Sequence, residues 1–459
     1  MDEDGALELA RKQADYAEVR VETLEENRLN MEDGDVQGFV HGEETGFFLR
    51  VLVKGAWGTA SSNDLSSHGW RAAVERAVGL ARSSAGHSRR KVKLADAPTL
   101  RAKTHWKPKK DPRKVSVEDR LAKLKAIEAE VRQLKPIASV STGLADATIS
   151  KRYLNSEGTD LEWSLVRSLA TATFTARRGA ELAQGSMRIG GTRGWELFDL
   201  EDPVKRALRE AEIAVKMLDA KAAKGGKQTV VIDGELAGVF AHEAVGHASE
   251  ADLVAAGESC FRGKMGKKLG IDGLSIRDDS LVPGGFGSFP YDDTGVAGQS
   301  RPILKDGTLV GYLADREHGA RLGVKPNGSA RAQDYTSRPL VRMSNTLIDP
   351  GEHTKEEVFE GIKDGVYCVG SKGGQVDTAR GTFLFNAREA YRIQNGRITT
   401  PLKDVSLTGG ILSTLHSIDA LGDTFELGNP GHCGKGQWVP VCDGGPLVRI
   451  RDCLVGGSS

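Results

Sequence analysis

The chain has 459 residues, with 63 basic and 63 acidic side chains and a formal net charge of zero. Its length exceeds what one hydrophobic core usually serves, so two or three domains are expected. The charge balance removes the global field that would favour nucleic acid, an anionic membrane or acidic substrates. Five cysteines, at 260, 368, 433, 442 and 453, are an odd number in a long chain; they argue against a secreted disulfide framework and for reduced thiols, one of them available as a ligand.

The start of the chain, Met1-Asp2-Glu3-Asp4, is acidic and lacks a basic region leading into an apolar one. No segment approaches about eighteen uninterrupted apolar residues. A cytoplasmic protein that neither enters membranes nor binds nucleic acid is expected. Residues 15–22 alternate apolar and polar and 46–53 have stronger β character, which predicts an early sheet with its turn at 55–58. Ala72, Val74, Ala77, Val78 and Ala81 form a helical stripe across 71–83. Together these suggest an α/β module.

Residues 101–114 hold seven lysines and arginines, two prolines and one acid, Asp111, and read as a solvated linker that divides the N-terminal region. Ser116 is an N-cap candidate for a charged helix running to about Leu134. Strands are predicted around 147–154 and 169–176, joined by a turn at 155–158. Asp202-Pro203 opens another helix, with Asp as cap and Pro in the first turn. The Gly225-Gly226 pair, between lysines, marks the main boundary: a 1–224 N-terminal α/β region and a 225–459 C-terminal domain. Most of the 56 glycines fall in the second part, and short strands are expected there, including 309–313 and 391–396. The fold class read from this pattern is α+β, the C-terminal domain being mostly β with one embedded helix.

That helix carries the chemistry. A buried-strand run at 228–233 leads into 234–241, where Leu236, Val239 and Phe240 have apolar helical spacing, and then into His242-Glu243-Ala244-Val245-Gly246-His247. Neutral imidazole is a good zinc donor, and an acid beside the first ligand is placed to take a proton from water activated by the ion. In the common HExxH pattern the histidines lie about 40° apart on a helix; a spacing of five places them about 140° apart. Local widening to i→i+5 pairing reduces the angle to about 50°. A π-type distortion near Gly246 is therefore predicted, where the absence of Cβ tolerates an altered backbone.

Catalytic zinc normally has three protein donors and an open position. By residue type, the third ligand is one of Glu250, Cys260, His318, His416, His432, Cys433 and Cys442. Cys433, between glycines on a turn, has the most suggestive context. Glu250 is also a candidate to orient a ligating histidine, and Arg338, Arg342, His318 and Tyr335 are candidates to donate to a developing oxyanion.

The HExxxH segment with residues 248–252 resembles that of the TldD/PmbA family of metallopeptidases, also known as modulators of DNA gyrase. Further motifs match in the same order: 292–298, 338–346, 373–377, 389–391 and 430–435, with 51–58 and 62–64 near the N-terminus. The resemblance spans nearly the whole chain. It implies a peptidase with one Zn2+ held by His242, His247 and Cys433, and with Glu243 as general base and acid. It also implies a TldD-like subunit acting on unfolded or small peptides, paired in a dimer with a related metal-free subunit or with a second copy. Residues 373–377 then read either as a turn or as a strand end that pairs with an extended peptide. Two other readings of the same residues are a noncatalytic binding or regulatory subunit with a structural metal, and a metal-dependent amidase or esterase acting on small molecules.

Overall fold

The computed structural model describes residues 1–87 and 90–456. Its N-terminal part is built on one seven-stranded sheet. Ala56–Ser62, Asp35–Val53, Tyr16–Glu32, Ile137–Asn155 and Asp160–Arg178 follow one another across it, all antiparallel. The free edge of Asp160–Arg178 is shared: Arg101–His105 runs parallel to its first half, and Glu181–Gly191 antiparallel to its second.

Helices bury the apolar alternation of these strands. Ser67–Ala85 sets Trp70, Val74 and Val78 against Phe47, Leu49 and Val51, with the Phe47 and Trp70 rings stacked at 3.7 Å. Val117–Val131 and Pro203–Met217 cover Leu144, Ala172 and Phe174 in the same way. Their caps are those the sequence offers. Ser116 accepts from Asp119 N at 3.0 Å, and Asp202 from Val204 N at 3.0 Å, each satisfying an N–H that the first helical turn leaves without a partner.

Three local expectations change. The turn predicted at 55–58 lies at Lys54-Gly55, where φ is 51° and 77°, and Ala56 already begins an edge strand. The basic segment 101–114 is more than a linker, since Arg101–His105 completes the sheet and Pro112–Lys114 forms a short 3-10 turn. The strand expected at 309–313 shortens to Thr308–Leu309.

In the C-terminal part, Asp364–Asp377, Gly226–Ile232, Val448–Gly456, Ser406–Gly410 and Thr382–Gln394 pair in sequence, and the last returns to the first. The five strands therefore close into a ring, which removes open edges along most of their length. A second sheet contains Ile276–Asp279, Ser300–Lys305, Asn345–Ile348 and Trp438–Gly445. The helix Gly234–Phe240 packs between these bodies. Phe240 meets Phe383 and Phe385 edge-on at 5.6 and 6.2 Å. On its other side, a Cβ on Gly238 would lie 2.3 Å from Gly444 N, and one on Gly234 2.5 Å from Gly445 O. The two glycines, one turn apart, let the helix sit directly on the strand backbone. Among the described residues, no helix is long and apolar enough to cross a membrane.

Candidate metal centre

Asp233 starts the histidine helix, its Oδ1 accepting from Leu236 N at 2.9 Å and from Gly370 N at 3.0 Å. After Phe240 the helix widens: Ala241–Gly246 is a π-helical turn, closed by His247 N donating to His242 O. This is the i→i+5 pairing that the histidine spacing demands. The role of Gly246 differs from the expectation. Its φ of −58° and ψ of −59° are ordinary helical values, so its backbone needs no glycine. Instead, a Cβ there would lie 2.1 Å from Met343 Sδ, and glycine is required by close packing.

The widening brings both imidazoles to one side, their ring centroids 5.2 Å apart and nearly perpendicular at 87°. Cys433 arrives from the strand Gly431–Gly434, which pairs with Trp438–Gly445 in the register Cys433 to Val439. Arg342 anchors that hairpin, donating to Cys433 O at 2.6 Å and to Gln437 O at 3.0 Å. Donor atoms of His242, His247 and Cys433 all lie within 4.8 Å of one another, and the three residues are buried. Cys433 Sγ is 3.3 Å from His247 Nε2. Two nitrogens and a sulfur at zinc bonding distance in a tetrahedron lie roughly 3.3–3.6 Å apart, so small side-chain shifts bring this set onto one ion.

The electrostatics suit a cation. Burial opposes ionisation of Cys433, but His242 and His247 overcome it and bring the thiol down to about 4. Burial likewise lowers the histidines, and Cys433 for His242, with Glu250 first for His247, reverses this and raises both. The imidazoles and the thiol thus each favour the charged form of the other, an environment in which a divalent ion can take the place of protons. Glu250, fully buried, holds His247 Nδ1 at 3.0 Å and fixes the tautomer that leaves Nε2 as donor. Lys435 holds Glu250 at 3.0 Å and Asp252 at 2.6 Å. The sequence reading gave Lys435 no role, although it lies two residues beyond Cys433 on the same hairpin.

Glu243 is partly exposed, its Oε2 3.8 Å from His247 Nε2. It faces a cleft of about 740 Å³ together with His242, His247 and Cys433. The remaining ligand candidates lie elsewhere or face away: His318 is held by Asp315 at 2.9 Å, Cys442 points to the carbonyls of Gly428 and Asn429, and Cys260 borders Gly381. His416 closes the short helix Ile411–Ser417. His432 turns from its neighbour Cys433 to meet the Phe286 ring at 5.5 Å. Burial and the charges of Arg167, Arg188, Arg331 and Arg28 hold it below its ordinary value. Of the oxyanion-donor candidates, Arg342 is committed to carbonyls, His318 to Asp315, and Tyr335 to Glu44 at 2.5 Å.

Comparison with known proteins agrees with this architecture. Residues 225–457 match the model of the PmbA/TldA metallopeptidase C-terminal domain, 17–81 that of domain 1 and 110–218 that of the central domain. The chain belongs to the PmbA/TldD metallopeptidase family. A metalloprotease of Methanothermobacter thermautotrophicus is 39% identical over 97% of this chain and 96% of its own length. A zinc metalloprotease TldD homolog of Saccharolobus solfataricus is 30% identical over 97% of each. The crystal structure of TldE from Thermococcus kodakarensis superposes with a TM-score of 0.80 at 16% identity, covering 99% of both chains, which shows a shared fold. In this PmbA/TldD fold the first two matched segments are not separate bodies, because Tyr16–Glu32 and Ile137–Asn155 are neighbours in one sheet.

Proposed function

We propose that the chain is a zinc-dependent peptidase of the cytoplasm that hydrolyses unfolded or small peptides, with His242, His247 and Cys433 as metal ligands and Glu243 as general base and acid. The observation that carries this reading is the convergence of two imidazoles and a thiol within 4.8 Å beside Glu243, with both imidazoles brought to one side by the π-turn. The donor set of two nitrogens and one sulfur fits zinc, and three protein donors leave a position open for reactants. Bound there, zinc supplies Lewis acidity, polarising a carbonyl and making water a better nucleophile at neutral pH.

The protein groups supply the rest. Glu243 takes the proton from attacking water and returns it to the departing amine. Glu250, itself held by Lys435, keeps the His247 ring fixed during this exchange. Ser371, Gly373, Gly374, Gln375 and Val376 line the cleft. Their strand pairs with Gly226–Ile232 only over Gly365 to Cys368, and Asp233 and Glu235 take Gly370 N and Ser371 N, so the edge from Gly373 to Val376 is the part available for main-chain pairing with an extended peptide. Such pairing selects unfolded chains and disregards their sequence. The dimer with a related metal-free subunit, or with a second copy, belongs to the same proposal, and light scattering of the chain alone and mixed with its relative tests it.

Glu243→Ala tests the proton role. It is expected to keep its metal, measured by elemental analysis, and to lose about 10²-fold or more in peptide hydrolysis. Full activity with metal retained refutes the assignment.

A further inference from the structure

The cleft at the metal centre does not end there. It shares His432 and Trp438 with a second cavity of about 510 Å³. The floor of this cavity is apolar, formed by Leu144, Ile149 and Leu169 of the N-terminal sheet together with Phe286 and Pro440. Its acids are already neutralised: Glu26 pairs with Arg28 at 2.6 Å, and Asp146 with Arg120 and with Asn27 at 2.9 Å.

Arg167 is different. It is 8% exposed, and its Nε and Nη2 donate to Phe286 O at 2.8 Å and Ser288 O at 2.9 Å. These bonds fix the guanidinium plane and leave the remainder of its donor fork unused. Burial pulls it down to about 10, and only the more distant Asp293 and Glu22 oppose this. Arg188 lines the metal-side cleft, exposed. Among the described residues, no carboxylate pairs with Arg167 or Arg188. A buried cation without a counter-ion is costly, and a planar fork at a cavity wall matches a carboxylate in bidentate geometry.

We infer that the cavity beyond His432 and Trp438 is a subsite for a peptide carboxylate, with Arg167 as its anion-binding residue and Arg188 guiding the chain from the metal side. This rests on the peptidase reading and extends it. The apolar floor takes the adjoining side chain, and the carboxylate is either the free C-terminus or an acidic side chain near it.

The test uses binding, so that it does not depend on turnover. Three fluorescent peptides of one apolar sequence are titrated against the full-length Glu243→Gln protein: a free acid, its C-terminal amide, and the amide with Asp in the last position. The free acid is expected to bind about tenfold or more tightly than the amide, as for a charge-assisted hydrogen bond. That ratio is expected to fall toward one in Arg167→Gln, to shrink in Arg188→Gln, and to shrink with added salt. Recovery of affinity by the Asp-bearing amide shows that the subsite also takes a side-chain carboxylate; failure to recover restricts it to the terminus. Equal affinity of all three peptides for the protein with Arg167 intact, or binding of none, overturns the subsite whether or not Arg167→Gln folds. Hydrolysis by the wild-type chain is scored separately: a clear preference without hydrolysis sinks the peptidase reading, and hydrolysis without preference sinks the subsite.

Discussion

Gly246 shows how one missing methyl group holds a reactive geometry together. The histidine spacing needs a π-turn, and the turn packs so closely on Met343 that a Cβ would lie 2.1 Å from its sulfur. Gly246→Ala is expected to force either the turn or Met343 to move, at a cost of about 1–3 kcal/mol typical of an overpacked core. Chemical denaturation should show the loss, and the loss should be smaller when Gly246→Ala is made in a Met343→Ala background. A Gly246→Ala protein as stable as its parent would contradict this packing argument. At the same scale, the histidine pair and Glu243 are marked in the sequence by residue type and spacing, whereas Cys433 is one of seven candidates by type and stands out only by its turn context and by the family resemblance. The sequence does not show that Lys435 holds Glu250, or that Arg342 ties down the Cys433 carbonyl. Those contacts join positions far apart in the chain, which no local pattern encodes.

The histidine helix depends on its first residue as well as on its glycines. Burial, then the charge of Glu235, lifts Asp233 from 3.8 to about 7 against the N–H bonds from Leu236 and Gly370. A carboxyl group raised on folding contributes stability that is complete below its unfolded value and is lost as pH rises through its folded one. Asp233 should therefore weaken the fold between about pH 4 and pH 7. Asp233→Asn keeps an acceptor for the cap and cannot ionise. Urea unfolding of both proteins in the same metal state should find them close at about pH 4, with the Asn variant gaining as pH rises and more stable at pH 8 by about 1 kcal/mol or more. The reverse order would place the penalty elsewhere. Among the elements, capped helices and alternating strands are legible in the sequence because their signals are local. The edge strand Arg101–His105 is not, since its five residues lie in a run of lysines and prolines and gain their structure only from pairing with Asp160–Arg178. Closure of the five-stranded ring is hidden for the same reason, as it joins Gly226–Ile232 to strands more than a hundred residues later.

Across the whole molecule, the N-terminal sheet is fastened to the C-terminal part by buried charges. Lys151 reaches Asp293 at 2.7 Å and Glu22 at 3.2 Å, and Arg20 donates to Asp334 O at 2.7 Å. Lys151→Met leaves Glu22 and Asp293 with only Arg20 as a cationic partner, at 3.8 Å from each, so a loss of about 1–3 kcal/mol is expected in denaturant titrations; a change under about 0.5 kcal/mol would show that the seam is not held by this ion pair. This seam places the apolar face of one part and the metal ligands of the other around a continuous cleft. The account stands on a single ion shared by the π-turn and the Cys433 hairpin, and X-ray absorption at the zinc edge of the metal-loaded chain examines it directly. It should give two imidazole nitrogens at about 2.0–2.1 Å, one sulfur at about 2.3 Å and one exchangeable light atom. A shell without sulfur, or one closed by four protein donors, would contradict it.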